Sequence, residues 1–292
     1  MRFPSNKVAR ELREFGQVGT TLGLGLRFPL LSSSVSQISP LRTGWSMVRS
    51  IVATPPPRPH GKGSVDHSAL AGILRSLATD GDQRLPDLDG DLAMYVASLA
   101  TVDPDQLGVS EALVYWINLY NAGALRLAAD AQKAGEHTVL RVPGAFQQPF
   151  VNVAGRPLSL HSIENGKVRR FKDPRIHAAL VCGSVSCPTL RAEPYTGIGV
   201  DAQLDDQIRH FLTAGAAIRS DDDQLLLSRV FAWYGADFVR PRRMPALLPA
   251  SRSAIREALT RWLPTELADW AGRAKPKVVF MEYDWSLRCS VG

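Results

Sequence analysis

The chain has few cysteines, no long apolar run and no basic excess outside its N-terminal part, and each shortage excludes a class of protein. Three cysteines in 292 residues are too few for a disulfide-rich scaffold, and the odd number leaves at least one thiol without an internal partner. No stretch approaches the roughly 20 apolar residues of a membrane-spanning helix. Thr20–Leu31 is interrupted by Arg27 and Pro29, so it does not fit a secretory signal. We therefore expect a soluble protein, with a cytoplasmic location favoured over export.

The basic charge of the chain lies in its first 60 residues. The whole sequence carries 34 Lys and Arg against 28 Asp and Glu, a net charge of +6. Residues 1–60 hold eight basic and two acidic side chains, and eight minus two is +6, so residues 61–292 are neutral. A nucleic-acid-binding domain needs a basic face on its folded part. The sequence therefore predicts no nucleic-acid partner, and leaves open a contact between the basic extension and an anionic membrane surface.

A Pro-rich and then Gly-rich stretch, Thr54–Ser64, predicts a domain boundary. We expect residues 1–63 to be a poorly ordered basic extension that ends in this linker, and residues 64–292 to form one globular domain. Helical and alternating apolar patterns follow each other irregularly in that domain. The sequence therefore predicts an α+β fold, a single domain in which several helices pack a mixed β-sheet around a central apolar helix at 110–134.

Two asparagines interrupt the apolar surface of this central helix. Asn118 and Asn121 are three residues apart, so their amides lie on neighbouring faces. Asn is unfavourable inside a helix, and a buried amide costs stability unless its hydrogen bonds are made. Two interpretations follow: the amides bind the backbone of a neighbouring loop, or they orient a catalytic group.

A second polar group precedes a Gly- and Ser-rich loop. The apolar run Ile176–Val181, bounded by Pro174 and Gly183, is typical of a buried strand, and His177 interrupts its start. Such a strand would place His177 and Cys182 on opposite faces. We therefore expect His177 to meet Cys187 only if the loop folds back. A rigid element that leads into a loop is a frequent place for a functional site.

Several interpretations of the two thiols remain open. Cys182 and Cys187 can form a disulfide if their Cα atoms approach within about 7 Å. Alternatively, one is a nucleophilic thiolate with His177 as its base, and the backbone N–H groups of the loop then favour Cys187. Metal ligation by His177 and both thiols is disfavoured, because the spacing fits no common zinc pattern. Inert buried thiols, or a reversible redox pair that lacks the Cys-x-x-Cys spacing, complete the set.

Six ordered motifs carry a resemblance to a known family. They are Trp116–Ala122, Leu158–Leu160 leading to Ile163 and Glu164, Asp173–His177, Cys182–Pro188, Trp233–Phe238 and Tyr283–Leu287. Together they resemble the domain-of-unknown-function family DUF547 over about residues 110–287. The resemblance implies a shared fold and a shared cleft near Cys182 and Cys187, and it implies no reaction.

The chain departs from the family pattern in two places. The family usually has His directly after the Ile-Glu pair, where this chain has Asn165, and Asn at the end of the last motif, where it has Arg288. The first change places in doubt any mechanism that needs two histidines. His161 lies one turn before Asn165 on the same helix face and can substitute for the missing imidazole.

These residues lead to two functional hypotheses. The first is a thiol-dependent hydrolase or acyl transferase, with Cys187 as nucleophile and His177 as base. In this hypothesis Asn118 or Asn121 orients the imidazole, and Glu164 contacts these residues rather than the substrate. Its ligand is expected to be a small molecule or peptide bound in the cleft near the two thiols. The second is a non-enzymatic binding or scaffold domain with a structural Cys182–Cys187 disulfide. No phosphate-binding loop or zinc-protease motif is present, so the sequence predicts no cofactor and no metal.

Overall fold

A computed structural model describes residues 48–292 of the chain. The helices that follow residue 64 are α1 (Ser68–Asp80), α2 (Leu85–Ala100), α3 (Val109–Lys133), α4 (Leu160–Gly166), α5 (Ile176–Ala179), α6 (Val200–Phe211), α7 (Val230–Val239), α8 (Arg252–Leu259) and α9 (Thr265–Ala274). The strands are β1 (Val151–Val153), β2 (Arg156–Leu158), β3 (Ala217–Arg219), β4 (Leu225–Leu227) and β5 (Val278–Phe280). The predicted α+β fold with a central apolar helix is confirmed.

Helix α3 is the centre of the fold. Every residue from Ala112 to Leu125 is buried, as expected for a helix that is apolar around most of its circumference. The helix begins at Val109, with Gly108 at its N-cap and no side-chain cap. The helix therefore starts one residue before the predicted bound at 110, and Ser110 lies in its first turn.

The strands form two small sheets. β1 and β2 are an isolated antiparallel hairpin, and β3, β4 and β5 form a three-stranded sheet in that order. β4 pairs antiparallel with β3 and parallel with β5, so this second sheet is the predicted mixed sheet.

Two apolar cores meet at α5. The first core gathers α1, α2, α3, the β1–β2 hairpin and the first half of α6, and the second gathers the last half of α6, α7 to α9 and the mixed sheet. Ile176 and Ala179 belong to the first core, whereas Ala178 belongs to the second. Helix α5 therefore lies at the junction, and it places His177 there.

The buried strand predicted for 176–181 is wrong, because Asp173-Pro174 starts a helical turn there. The Asp173 carboxylate accepts the Arg175 backbone N–H at 2.9 Å, and the backbone then closes the short helix α5. An acidic cap followed by Pro is a helix-start signal. Only the residues after Ala179 are extended, so the predicted face alternation between His177 and Cys182 does not apply.

The two asparagines of α3 hold extended backbone against the helix. Asn121 donates to the Ala179 carbonyl at 3.0 Å and accepts the Val181 N–H at 3.1 Å. Asn118 makes the same pair of bonds with Tyr195, at 2.9 and 3.1 Å. Each side-chain amide makes the backbone hydrogen bonds that a neighbouring strand would otherwise make. Buried backbone N–H and C=O groups, which are costly when unpaired, are thereby satisfied. Asn121 thereby fixes the segment that joins His177 to Cys182.

The residues of the predicted linker lie against the domain. Residues 48–53 are helical, and the Ile51 carbonyl accepts a hydrogen bond from Arg170 at 3.0 Å. The Pro55 carbonyl accepts one from Lys167 at 2.7 Å, and the His60 N–H donates to the Asp105 carbonyl at 2.9 Å. Residues 1–47 of the predicted extension, including the segment considered for membrane contact, lie outside the described residues.

Replacing Asn121 with Ala removes both hydrogen bonds of its side-chain amide and leaves a buried carbonyl and a buried N–H unpaired. Each such group costs roughly 1–3 kcal/mol, so the free energy of unfolding should fall by about 2–5 kcal/mol in urea denaturation. Asn152→Ala, at an exposed position of β1, is the matched control and should change it by less than about 0.5 kcal/mol. Equal effects of the two substitutions would show that the amide does not hold this segment.

Candidate functional site

Cys182 and Cys187 lie at the two ends of a tight turn. The Cys187 N–H donates to the Ser184 carbonyl at 3.1 Å, which turns the chain back on itself. The two Sγ atoms are 3.0 Å apart, and both cysteines are free thiols. The Cys182 N–H also donates to the Cys187 sulfur at 2.8 Å. The disulfide considered from the sequence is therefore not formed in this structure, although the two sulfur atoms are in contact.

Gly183 makes this turn sterically accessible. Its φ of +75° lies in the left-handed region that favours glycine. A Cβ at this position would also lie 3.2 Å from Cγ1 of Val139. The backbone that follows Cys182 therefore depends on glycine, both for its conformation and for its close approach to the first core.

The environment of the two sulfur atoms is asymmetric. The Cys182 sulfur lies 3.0 Å from the Cys187 thiol, 3.3 Å from the Ser184 hydroxyl and 3.1 Å from the Tyr283 hydroxyl. The hydrogen bond from Cys187, with the hydroxyls of Ser184 and Tyr283 beside the sulfur, lowers the pKa of Cys182 in spite of its burial. Burial and the neighbouring Cys182 raise the pKa of Cys187 well above its usual range. Cys182 is therefore the sulfur that ionises more readily, and Cys187 is the one that keeps its proton.

His177 forms a buried pair with Asp237 of helix α7. The imidazole Nε2 lies 2.9 Å from the Asp237 carboxylate, and the ring stacks on Tyr234 with centroids 4.0 Å apart. Burial lowers the pKa of His177, while the bond to Asp237 opposes this shift. Because the Asp237 carboxylate can only accept, Nε2 of the neutral ring carries the proton and Nδ1 is the free base.

Asp237 is a hub of buried hydrogen bonds. Besides the imidazole, it accepts Arg169 Nε at 2.8 Å and the Ala246 N–H at 2.7 Å. Burial alone would raise the pKa of Asp237, but the bond from His177 and the positive charge of Arg169 hold it well below its usual range. Arg169 also donates to the Asn165 side-chain oxygen at 2.6 Å. Asn165 thus supports the guanidinium.

Glu164 reaches the same junction from helix α4. Its carboxylate lies beside Tyr234. Burial, and after it the negative charge of Glu164, raises the pKa of Tyr234 well above its usual range. Glu164 also lies close enough to Cys182 and Tyr120 to affect the pKa of each. It therefore belongs to the cluster around the thiols, although it makes no hydrogen bond to either sulfur within the described part of the chain.

The structure brings together some of the predicted site residues and separates others. Cys182 and Cys187 are in contact, and Glu164 and His177 both lie against Tyr234. Among the described residues, no hydrogen bond joins His177 to a thiol. The amides of Asn118 and Asn121 bind backbone rather than the imidazole. The Cys/His/Asn set is therefore not assembled as a hydrogen-bonded triad.

Sequence reasoning missed the residues that contact the predicted ones. Asp237, Arg169, Tyr234 and Tyr283 each make a contact at the site, yet none was assigned a role. One signal was present: Asp237 interrupts the apolar helix α7, as Asn118 interrupts α3. The other three residues differ from ordinary surface or core residues only through their tertiary neighbours.

Little open space lies beside the thiols. A cavity of about 10 Å³ touches Ser184, Cys187, Arg288 and Cys289, enough for about one water molecule. Within residues 48–292, no three His, Cys, Asp or Glu side chains are arranged to hold a metal ion. The same part of the chain contains no helix with the length and apolar character needed to cross a bilayer.

Comparison with known proteins identifies a family for part of the chain. Residues 104–212 match the family described as "Protein of unknown function, DUF547". This segment contains α3, α4, α5 and both cysteines of the pair, and for it the resemblance seen in the sequence is confirmed. The motifs at 233–238 and 283–287 lie outside the matched segment. No curated protein and no solved structure matches the chain.

The pH dependence of stability should report the neutral state of His177. Its folded pKa lies below the ordinary 6.5, so below about pH 6.5 the unfolded chain binds more protons and stability falls as pH falls. His177→Gln should reduce the slope of unfolding free energy against pH, between about pH 6 and 5, by up to about 1.4 kcal/mol per pH unit. Burial lowers the pKa of His67 to about 4, so His67 still contributes to the slope that remains in this variant.

The control is His210→Gln at an exposed position of α6, which should leave the slope unchanged. Urea denaturation at a series of pH values measures all three proteins. If His177→Gln retained the wild-type slope, the imidazole would be protonated in the folded protein, and the assignment of Nδ1 as a free base would fail.

Proposed function

We propose that the protein is a thiol–disulfide redox protein in which Cys182 and Cys187 interconvert between two thiols and one disulfide. The contact of 3.0 Å between the two free sulfur atoms carries this proposal. A second cysteine at this distance is required for a disulfide, whereas a hydrolase with one nucleophile has no need of it. The matched family names no reaction, so the proposal rests on the geometry of the pair.

The electrostatic asymmetry assigns a role to each cysteine. Thiol–disulfide exchange begins with attack by a thiolate, and the lowered pKa of Cys182 makes it the attacking group. Cys187 keeps its proton until a mixed disulfide has formed on Cys182, and then resolves it. Loss of the negative charge on Cys182 at that moment removes the main repulsion against ionisation of Cys187.

The exchange balances with a small disulfide as oxidant. The Cys182 thiolate attacks one sulfur, the S–S bond of the reagent breaks, and one half leaves as a thiolate. Cys187 gives its proton to that thiolate, and its sulfur attacks Cys182 and expels the second half, which takes a proton from solvent. The two protein thiols lose two electrons, and the reagent becomes two thiols. The small cavity beside Cys187 favours a small or exposed disulfide over an enclosed substrate.

Oxidised glutathione, added to the reduced protein and followed by alkylation and intact mass, tests the assigned roles. Wild type should lose two hydrogen atoms and retain no glutathione, because Cys187 resolves the adduct. Cys187→Ser should accumulate one glutathione on Cys182. Cys182→Ser should react at least about tenfold more slowly, since the remaining thiol has a raised pKa.

Cys289→Ser is the matched control, because burial raises the pKa of that thiol to about 12, and its kinetics should equal those of wild type. A Cys187→Ser protein without adduct would reject the exchange reaction. If reductant opened the Cys182–Cys187 disulfide only in denaturant, the disulfide would be structural. That result would support the scaffold hypothesis instead.

A second candidate is the thiol-dependent hydrolase or acyl transferase, with Cys182 rather than Cys187 as the nucleophile. The observation that favours it is the His177–Asp237 pair, a buried base in the same junction as a thiolate. Cys182 would form a thioester with the acyl carbon, and the alcohol would leave with the Cys187 proton. Water would then release the acid, and the proton gained by Cys182 would return to Cys187.

An activated acetate ester distinguishes this candidate from exchange. Wild-type protein should gain one acetyl group on Cys182 and turn over, and His177→Gln should slow the release of acetate while leaving glutathione exchange intact. Acetylation at surface lysines alone, with no adduct on Cys182, would eliminate the acyl-transfer reaction without affecting the redox proposal.

A further inference from the structure

The last ten residues of the chain lie along the loop that carries the two thiols. We name residues 283–292 the C-terminal strap and residues 182–190 the thiol loop. Their backbones are joined by the bonds Arg288 N–H to Gly183 O (3.2 Å), Val185 N–H to Ser286 O (2.9 Å), Ser186 N–H to Asp284 O (3.2 Å), Leu190 N–H to Ser290 O (2.8 Å) and Gly292 N–H to Leu190 O (2.9 Å). The strap is therefore docked on the thiol loop along most of its length.

One side chain of the strap contacts the sulfur pair directly. The Tyr283 hydroxyl accepts a hydrogen bond from Ser184 Oγ at 2.9 Å, which leaves its own hydrogen for the Cys182 sulfur at 3.1 Å. Its ring packs on Trp233 and Trp285, with centroids 4.8 and 4.6 Å away. Tyr283 thus links the thiolate, the thiol loop and an aromatic cluster.

The bond from Tyr283 depends on the charge of its acceptor. A hydrogen bond to an ionised sulfur is stronger than one between neutral groups. When a disulfide forms, Cys182 becomes neutral, and the Tyr283 hydroxyl keeps only a poor acceptor in a largely buried position. Whatever strengthens docking of the strap in the reduced protein must, by linkage, also stabilise the reduced pair.

We infer that Tyr283 couples the Cys182–Cys187 pair to the C-terminal strap, so that the strap is held more firmly on the reduced protein than on the oxidised one. Tyr283 is thus a positioning residue that keeps the negative charge on Cys182. The coupling to oxidation rests on the proposed redox function, whereas the effect on the Cys182 thiolate requires only the reduced protein.

The other groups that face Cys182 stay the same when Tyr283 is replaced. Cys187 shares its proton, Glu164 of α4 opposes its ionisation, and Tyr120 of α3 and Tyr234 of α7 remain neutral because burial raises the pKa of each. Cys289, on the strap, is also held neutral by burial. None of these groups is altered when Tyr283 is replaced by Phe, so a change in Cys182 ionisation reports the lost hydroxyl.

The first arm of the test measures Cys182 ionisation in the reduced full-length chain. The rate of iodoacetamide labelling of Cys182, followed against pH, should show a higher midpoint in Tyr283→Phe and about a tenfold lower rate below the midpoint. Ser184→Ala, which removes the donor to Tyr283, should shift the midpoint in the same direction by a smaller amount. It also serves if Tyr283→Phe does not fold.

Tyr195→Phe is the matched control for the first arm. Tyr195 is buried, and its hydroxyl has no hydrogen-bond partner among the described residues, so this substitution should leave the midpoint unchanged. If the midpoint of Tyr283→Phe equalled that of the control, the role of Tyr283 would be rejected.

The second arm measures hydrogen exchange of the strap and the thiol loop in both redox states, set by reduced or oxidised glutathione. The N–H groups of Val185, Ser186 and Arg288 should exchange faster in the oxidised wild type than in the reduced protein, and Tyr283→Phe should diminish this difference. Equal exchange in two verified redox states would overturn the coupling alone. Failure of the disulfide to form would reject the redox function and with it the coupling, and the first arm would still decide the role of Tyr283.

Discussion

The site depends on the buried carboxylate of Asp237. This group lies between the two cores and accepts from His177 on α5, from Arg169 after α4 and from the backbone at Ala246. Taking a carboxylate and a guanidinium out of water is expensive, and such pairs frequently contribute little net stability. Their contribution here is geometric, because the three bonds tie α5, the segment after α4 and the segment after α7 to one carboxylate. The carboxylate thus defines how the halves meet, and the thiol loop begins five residues after His177.

The thiol pair shows how a small difference in surroundings separates two chemically identical groups. Cys182 and Cys187 share a hydrogen bond, so ionisation of one opposes ionisation of the other. The hydroxyls of Ser184 and Tyr283 lie beside Cys182 and decide which sulfur carries the charge. Ser184 is two residues from Cys182 along the chain, whereas Tyr283 is 101 residues away. Local sequence therefore provides the pair, and tertiary structure decides which member is reactive.

What the sequence could predict follows the range of the interactions involved. The helical periodicity of α3 is local, and the prediction of this helix was confirmed. The segment at 176–181 was misassigned because an apolar run is ambiguous between helix and strand, and the turn that starts at Asp173 leads into a helix. The sequence indicated that Asn118 and Asn121 needed partners, but not which backbone groups would provide them. His177 and Asp237 are 60 residues apart along the chain, so no local pattern in the sequence indicates their hydrogen bond. Cys187 was favoured as the nucleophile because the loop before it offers backbone N–H groups, whereas the surroundings of the pair favour Cys182.

The position of the strap has a consequence for biosynthesis. A chain leaves the ribosome from its N-terminus, and domains fold as the required segments emerge. Cys182 and Cys187 therefore emerge well before Tyr283 and the rest of the strap, which complete their surroundings. During that interval the thiols lack the hydroxyl that selects Cys182 and the backbone partners that hold the loop. The finished reactivity of the pair is acquired only after residues 283–292 have emerged, so the nascent chain passes through a period in which its cysteines behave as ordinary thiols.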